Sequence, residues 1–189
     1  MILTSFTYDV ASPHVCLSFQ GLAPSKPAAP TCQSLAAGQV PTSNSSTFGA
    51  AASNAAAMFF SWEYGIGNTS TDFGPDSVES QQMMGAYGLA TNVQNFLQGG
   101  PSSGFQSFGL NGLVTSGLNP TAQFVGSYGW SMSLGGGSLN ITLTNATTPF
   151  SFFFHAPGLN PNPPIRPSTG WHPMGRVNQI FHISVQCGS

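Results

Sequence analysis

Charge is what this chain lacks. Its 189 residues hold three Lys or Arg and five Asp or Glu, so 4% are charged, against about 25% in an ordinary soluble domain. The net charge of −2 and the absence of any basic run exclude a broad phosphate-binding face, because nucleic-acid affinity comes mostly from Lys and Arg on phosphates. They leave room only for a single-phosphate pocket. No apolar run approaches the roughly 20 residues that span a bilayer as a helix. No CxxC or HExxH spacing occurs, which argues against a zinc site. The opening Met1-Ile2-Leu3-Thr4 lacks the basic region and long apolar core of a signal peptide. Export by another route and a place inside a longer chain are the two alternatives.

What is present suits a folded body with many turns. The hydrophobic fraction is 40%, with fifteen Phe, enough for a sizeable core. Gly 23 and Pro 15, among abundant Ser, Asn and Thr, favour turns and short strands over long helices. A surface covered by neutral polar groups gains little from ionisation, so its solubility depends weakly on pH. That suits an extracellular, acidic or translocated setting. Of the three cysteines, Cys16 and Cys32 are close enough in sequence to bridge a loop, and Cys187 sits near the C-terminus. An odd count leaves one thiol free or paired with another chain, and three unpaired thiols is the plainer alternative. Sequons at Asn44, Asn68, Asn140 and Asn145 are matters of chance in such a composition and bear only on a eukaryotic source.

The retained charges are segregated. Glu63, Asp72, Asp76 and Glu79 fall in one short stretch; Arg166 and Arg176 fall in the last quarter with His155, His172 and His182. Residues 1–45 read as a Pro/Ala/Ser-rich tether or extension, with Gly21 to Pro30 as an extended linker. Residues 46–189 read as one α+β domain, helical first and then a small antiparallel sheet or half-barrel. Ala50 to Phe60 suggests a short helix. Asp76-Ser77-Val78-Glu79 reads as a helix start with Asp76 as the cap and Glu79 reaching back to it. Apolar spacing continues to Leu97, with breaks at Gly85 or Gly88 and an end at Gly99-Gly100-Pro101. Phe105 to Leu118 reads as helical or irregular. Gln123 to Leu134, Ser138 to Thr144, Phe150 to Phe154 and Val177 to Gln186 read as strands. Gly135-Gly136-Gly137 forms the hairpin turn between the first two.

A series of short motifs carries a resemblance. Trp62-Glu63-Tyr64-Gly65-Ile66-Gly67 is followed by Phe73-Gly74-Pro75-Asp76-Ser77 and by Phe108-Gly109-Leu110-Asn111-Gly112-Leu113. Then come Gly117-Leu118-Asn119-Pro120-Thr121-Ala122-Gln123-Phe124-Val125-Gly126-Ser127 and Met174-Gly175-Arg176-Val177-Asn178-Gln179. Their order over residues 58–186 resembles the C-terminal effector domains of bacterial polymorphic toxins of the Rhs (YD-repeat) type. The resemblance implies a small toxin at the end of a large shell, delivered into another cell and neutralised by an immunity protein. It does not imply a reaction, because such tips carry many unrelated activities.

The residues themselves suggest a metal-independent site that calls for no cofactor. Glu63, in an aromatic and Gly-flanked stretch, suits a base of raised pKa. His155, ending the Phe-rich run before a loop, suits the acid, and Arg166 suits an anion-holder. Together they are the parts of phosphodiester transfer, or of chemistry on a nucleotide-type substrate. Arg176, Asn178, Gln179 and His172 are candidate substrate contacts. Each has a plainer reading: a turn glutamate, a core-edge histidine, an arginine in a structural ion pair, an exposed loop histidine, amides satisfying strand ends. Asp72, Asp76 and Glu79 lack EF-hand spacing, and capping accounts for Asp76 and Glu79. Two other classes stand beside the enzyme. Neutral strands suit a filament subunit or adhesin, and the aromatic runs at Met58 to Phe60 and Phe150 to Phe154 suit a membrane-acting protein.

Overall fold

The computed structural model describes residues 2–8, 15–20, 29–39, 45–115, 119–148 and 173–187. The protein is α+β; within residues 46–189 a helix leads, and a five-stranded sheet forms the rest of the core. Strands β1 (Ile2–Tyr8) and β2 (Val15–Gln20) pair with each other as an antiparallel hairpin. Helices α1 (Cys32–Ala36) and α2 (Ser45–Glu63) follow, then β3 (Ser70–Phe73), α3 (Val78–Met83) and α4 (Leu89–Leu97). Next come β4 (Ser103–Gln106), α5 (Gly109–Thr115) and α6 (Pro120–Val125), and finally β5 (Tyr128–Gly135), β6 (Ser138–Thr147) and β7 (Val177–Gln186). The strand order in the sheet is β3-β7-β6-β5-β4. The expected antiparallel sheet is there in β4 to β7, but β3 joins its edge in parallel, opposite β7. A parallel partner needs a long connection, and nearly the whole domain lies between β3 and β7 in sequence. Pattern reading along the chain therefore misses it.

Local signals account for the boundaries. The β5–β6 hairpin turns at Gly136 and Gly137, whose φ values of +59° and +75° suit glycine best. The break expected at Gly85 or Gly88 is there: the apolar run from Val78 to Leu97 is two helices, because Gly88 has φ +79° and takes the N-cap position of α4. The helix start lies one residue later than expected: Ser77, not Asp76, caps α3 by accepting from the Ser80 backbone N–H at 3.1 Å. Residues Pro120–Val125, partly expected as strand, are the helix α6. Asn119 accepts from the Ala122 N–H at 2.9 Å, Pro120 sits in the first turn and Gly126 has φ +68°, which is a full set of start and stop signals. The Asn-Pro-Thr-Ala-Gln-Phe-Val-Gly-Ser block thus has a local structural reason. The Phe150 to Phe154 run and residues 156–172 lie outside the described residues.

The core lies between the helices and one face of the sheet. Alternation along β7 turns Val177, Gln179, Phe181, Ile183 and Val185 inward. From β6 come Leu139, Ile141 and Leu143, and from β5 Tyr128, Trp130 and Met132. Helices α3 and α4 contribute Met83, Leu89 and Val93. Cys32 and Leu35 of α1 are core residues too, although they fall in the stretch read as an extension. Cys32 is bonded to Cys187, across a sequence separation of 155, so Cys32 is not the partner of Cys16. The Cys16 backbone pairs with Thr7 in the β1–β2 hairpin.

Tyr128 shows how the core handles a polar atom. Its hydroxyl donates to the Tyr87 carbonyl at 2.7 Å, in a residue 1% exposed. Burial pushes its pKa up from the ordinary 10.0. The unfolded chain therefore ionises first, and this group's contribution is full below pH 10 and declines as pH rises above it. Replacing Tyr128 by Phe leaves the Tyr87 carbonyl without its donor. We expect a loss of about 1–3 kcal/mol, read by urea unfolding at pH 7, and a smaller alkaline loss of stability than in the parent protein.

Candidate functional site

Helix α2 presents one stripe to a cavity of about 450 Å³: Asn54, Ala57, Met58, Ser61 and Trp62. Their spacing of three and four residues places them on a single helical face. Gly65, at φ +68°, then reverses the chain. Gly67 and Asn68 of the connection, and Thr71 and Phe73 of β3, form the next wall. Glu79 of α3 and Val177, Asn178 and Gln179 of β7 complete the lining. The volume falls in the range of small-molecule sites.

Among the described residues, Glu79 is the one charged side chain in this lining. It is 8% exposed, and Asn54 Nδ2 donates to its Oε1 at 2.6 Å. Sequence reading assigned it to capping. With Ser77 as the cap, the third helical position is Ser80, whose hydroxyl donates to the Phe73 carbonyl at 3.0 Å. Glu79 falls at the second position and is released toward the cavity. The missed residue was legible only through its partner, Asn54, which lies 25 positions away.

Gln179 occupies an inward position of β7 that an apolar residue would ordinarily fill, and it is 4% exposed. Its Oε1 accepts twice, from Asn145 Nδ2 at 2.8 Å and from Thr147 Oγ1 at 3.1 Å. Asn145 Nδ2 also donates to Thr147 Oγ1 at 3.2 Å. These bonds fix the amide, and its NH₂ group makes no hydrogen bond among the described residues. Asn178 lies at the same rim, but alternation sends its side chain to the opposite face from Gln179. At the same end of β7, Met174 has φ +56° and its N–H donates to the Trp62 carbonyl at 2.9 Å. A non-glycine residue in that region is uncommon and is found at functional sites.

Of the sequence-expected residues, Asn178 and Gln179 line the cavity. Glu63 ends α2 beside Trp62 and is half-buried; Arg176 precedes Val177 and is also half-buried. The lining passes over both. His155, Arg166 and His172 lie outside the described residues. His182 is on the other face of β7, with Nε2 2.9 Å from Asp72 Oδ1 and Nδ1 3.5 Å from Thr142 Oγ1. The two side chains are 42% and 64% exposed, so the pair is a surface one of small energetic weight.

Among the described residues, no group of three or more His, Cys, Asp and Glu is placed to hold a metal ion. No helix there is long and apolar enough to cross a membrane. What the described lining offers is one carboxylate, carboxamides and hydroxyls, and two aromatic side chains. Compared with known proteins, the chain matches no family model, no curated protein and no solved structure.

Proposed function

We propose that this is an exported or injected effector-type domain that holds a small substrate in the α2–α3–β7 cavity and works on it with the Glu79 carboxylate as acid or base. The observation that carries the reading is Glu79 itself: a buried carboxylate lining a cavity, held by one amide, with a second, fixed amide in the same lining. A carboxylate within hydrogen-bond reach of a bound substrate is the kind of group that enzymes use as acid or base. The Cys32–Cys187 bond suits an oxidising compartment, which fits the exported setting. The effector setting rests on the motif resemblance, and with it come a parent shell and an immunity protein as partners. The described lining carries no Lys or Arg. It therefore suits a neutral or cationic substrate better than the phosphodiester suggested by Glu63, His155 and Arg166.

Expression of the full chain in bacteria tests this, once in the cytoplasm and once exported to the periplasm. We expect growth arrest in one compartment, abolished by Glu79→Ala and retained by Glu63→Ala, with both variants folded. Arrest that survives Glu79→Ala sinks the site. Arrest that is lost in Glu63→Ala and kept in Glu79→Ala returns the chemistry to the sequence-expected trio.

A further inference from the structure

The cavity has a negative wall whose counter-charge is missing among the described residues. Only Oε1 of Glu79 is engaged there, and its donor is the neutral amide of Asn54. A carboxylate held away from water is costly unless a cation or several hydrogen bonds compensate it. A bound cation supplies that compensation. Trp62 and Phe73 line the same space, and aromatic faces attract ammonium groups, more strongly where water is excluded. Another group in the same lining asks for something else. Gln179 has its oxygen occupied twice, so its NH₂ group is left to donate. A ligand that satisfies both groups carries a positive nitrogen and an oxygen acceptor.

We propose that the cavity binds a small organic ammonium ion that also bears a hydroxyl or carbonyl oxygen, with the ammonium on Glu79 and the oxygen on Gln179. The proposal rests on reading this cavity as the working site, and it names the ligand class. A buried carboxylate with no cation beside it among the described residues repels phosphate and carboxylate ligands. A neutral sugar meets Gln179 but leaves Glu79 uncompensated.

Titration calorimetry on the oxidised full chain tests the charge directly, with probes in matched pairs. These are glucosamine against glucose, ethanolamine against ethylene glycol, and choline against 3,3-dimethylbutanol. We expect at least one ammonium member to bind about tenfold or more tighter than its neutral twin, the range of a charge-assisted hydrogen bond. Glu79→Gln keeps the shape and the Asn54 contact, and it should erase that preference. Asp72→Asn removes a carboxylate from the other face of β3 and should leave the preference intact. Equal binding of the charged and neutral members overturns the ligand class while the cavity stands as a binding site. A preference that persists in Glu79→Gln, or no binding by any probe, also overturns the ligand class. The growth assay with Glu79→Ala then judges the site separately.

Discussion

Reducing the Cys32–Cys187 bond is expected to remove about 5 kcal/mol of stability in the chain-entropy account, and no less than about 2 kcal/mol by the range seen for native bonds. The bond closes nearly the whole described body, since its ends are 155 residues apart. Long loops gain most from closure. The bond also ties α1 to the end of β7, where the Cys187 N–H donates to the Gly137 carbonyl at 2.9 Å and Thr31 bridges to Gln186. A domain commonly has only about 5–15 kcal/mol in total, so the loss is a large share of it. Urea unfolding with and without dithiothreitol measures the effect. A Cys32→Ser/Cys187→Ser double variant should match the reduced protein and ignore the reductant. Unchanged midpoints on reduction would show that the bond contributes nothing. The same comparison bears on the exported setting, because a protein that needs this bond is poorly suited to a reducing cytosol.

The second large effect is expected at Phe181. Its ring is fully buried and stacks on Phe73 at 4.9 Å, with 10° between the planes. This pair joins the parallel edge strand β3 to β7, and Phe73 is also a wall of the cavity. Phe181→Ala removes the largest side chain that β7 sends into the core. We expect a cost of about 3–5 kcal/mol, combining lost burial with the space left behind. The loosened β3 edge should also weaken ligand binding in the cavity. Phe105→Ala is the control. That ring is 71% exposed on β4, and its removal should cost within about 0.5 kcal/mol. Similar losses from the two variants would contradict the assigned core.

Much of this architecture is written locally. Pro120 and Gly126 bracket α6, Gly136 and Gly137 close a hairpin, Gly88 divides α3 from α4, and β7 runs over the residues that its β-rich composition marks. These are short-range matters of φ, capping and pleat, which neighbouring residues decide. The site is legible only in part. Asn178 and Gln179 stand out in a strand-forming run because polar residues interrupt it. Glu79 does not stand out, because a carboxylate near a helix start has an ordinary explanation in capping.

The sequence by itself determined the α+β class, the helix-then-sheet order, the hairpin, and a body that dispenses with surface charge. Only the tertiary structure decided which cysteines meet, that β3 joins β7 in parallel, and that Glu79, Asn54 and Gln179 share one cavity. Those pairings span 25 to 155 residues, and no local preference encodes them. They form because helix and sheet must bury their apolar faces against each other. Packing brings the few polar side chains caught on those faces together, and the function proposed for this protein is built on them.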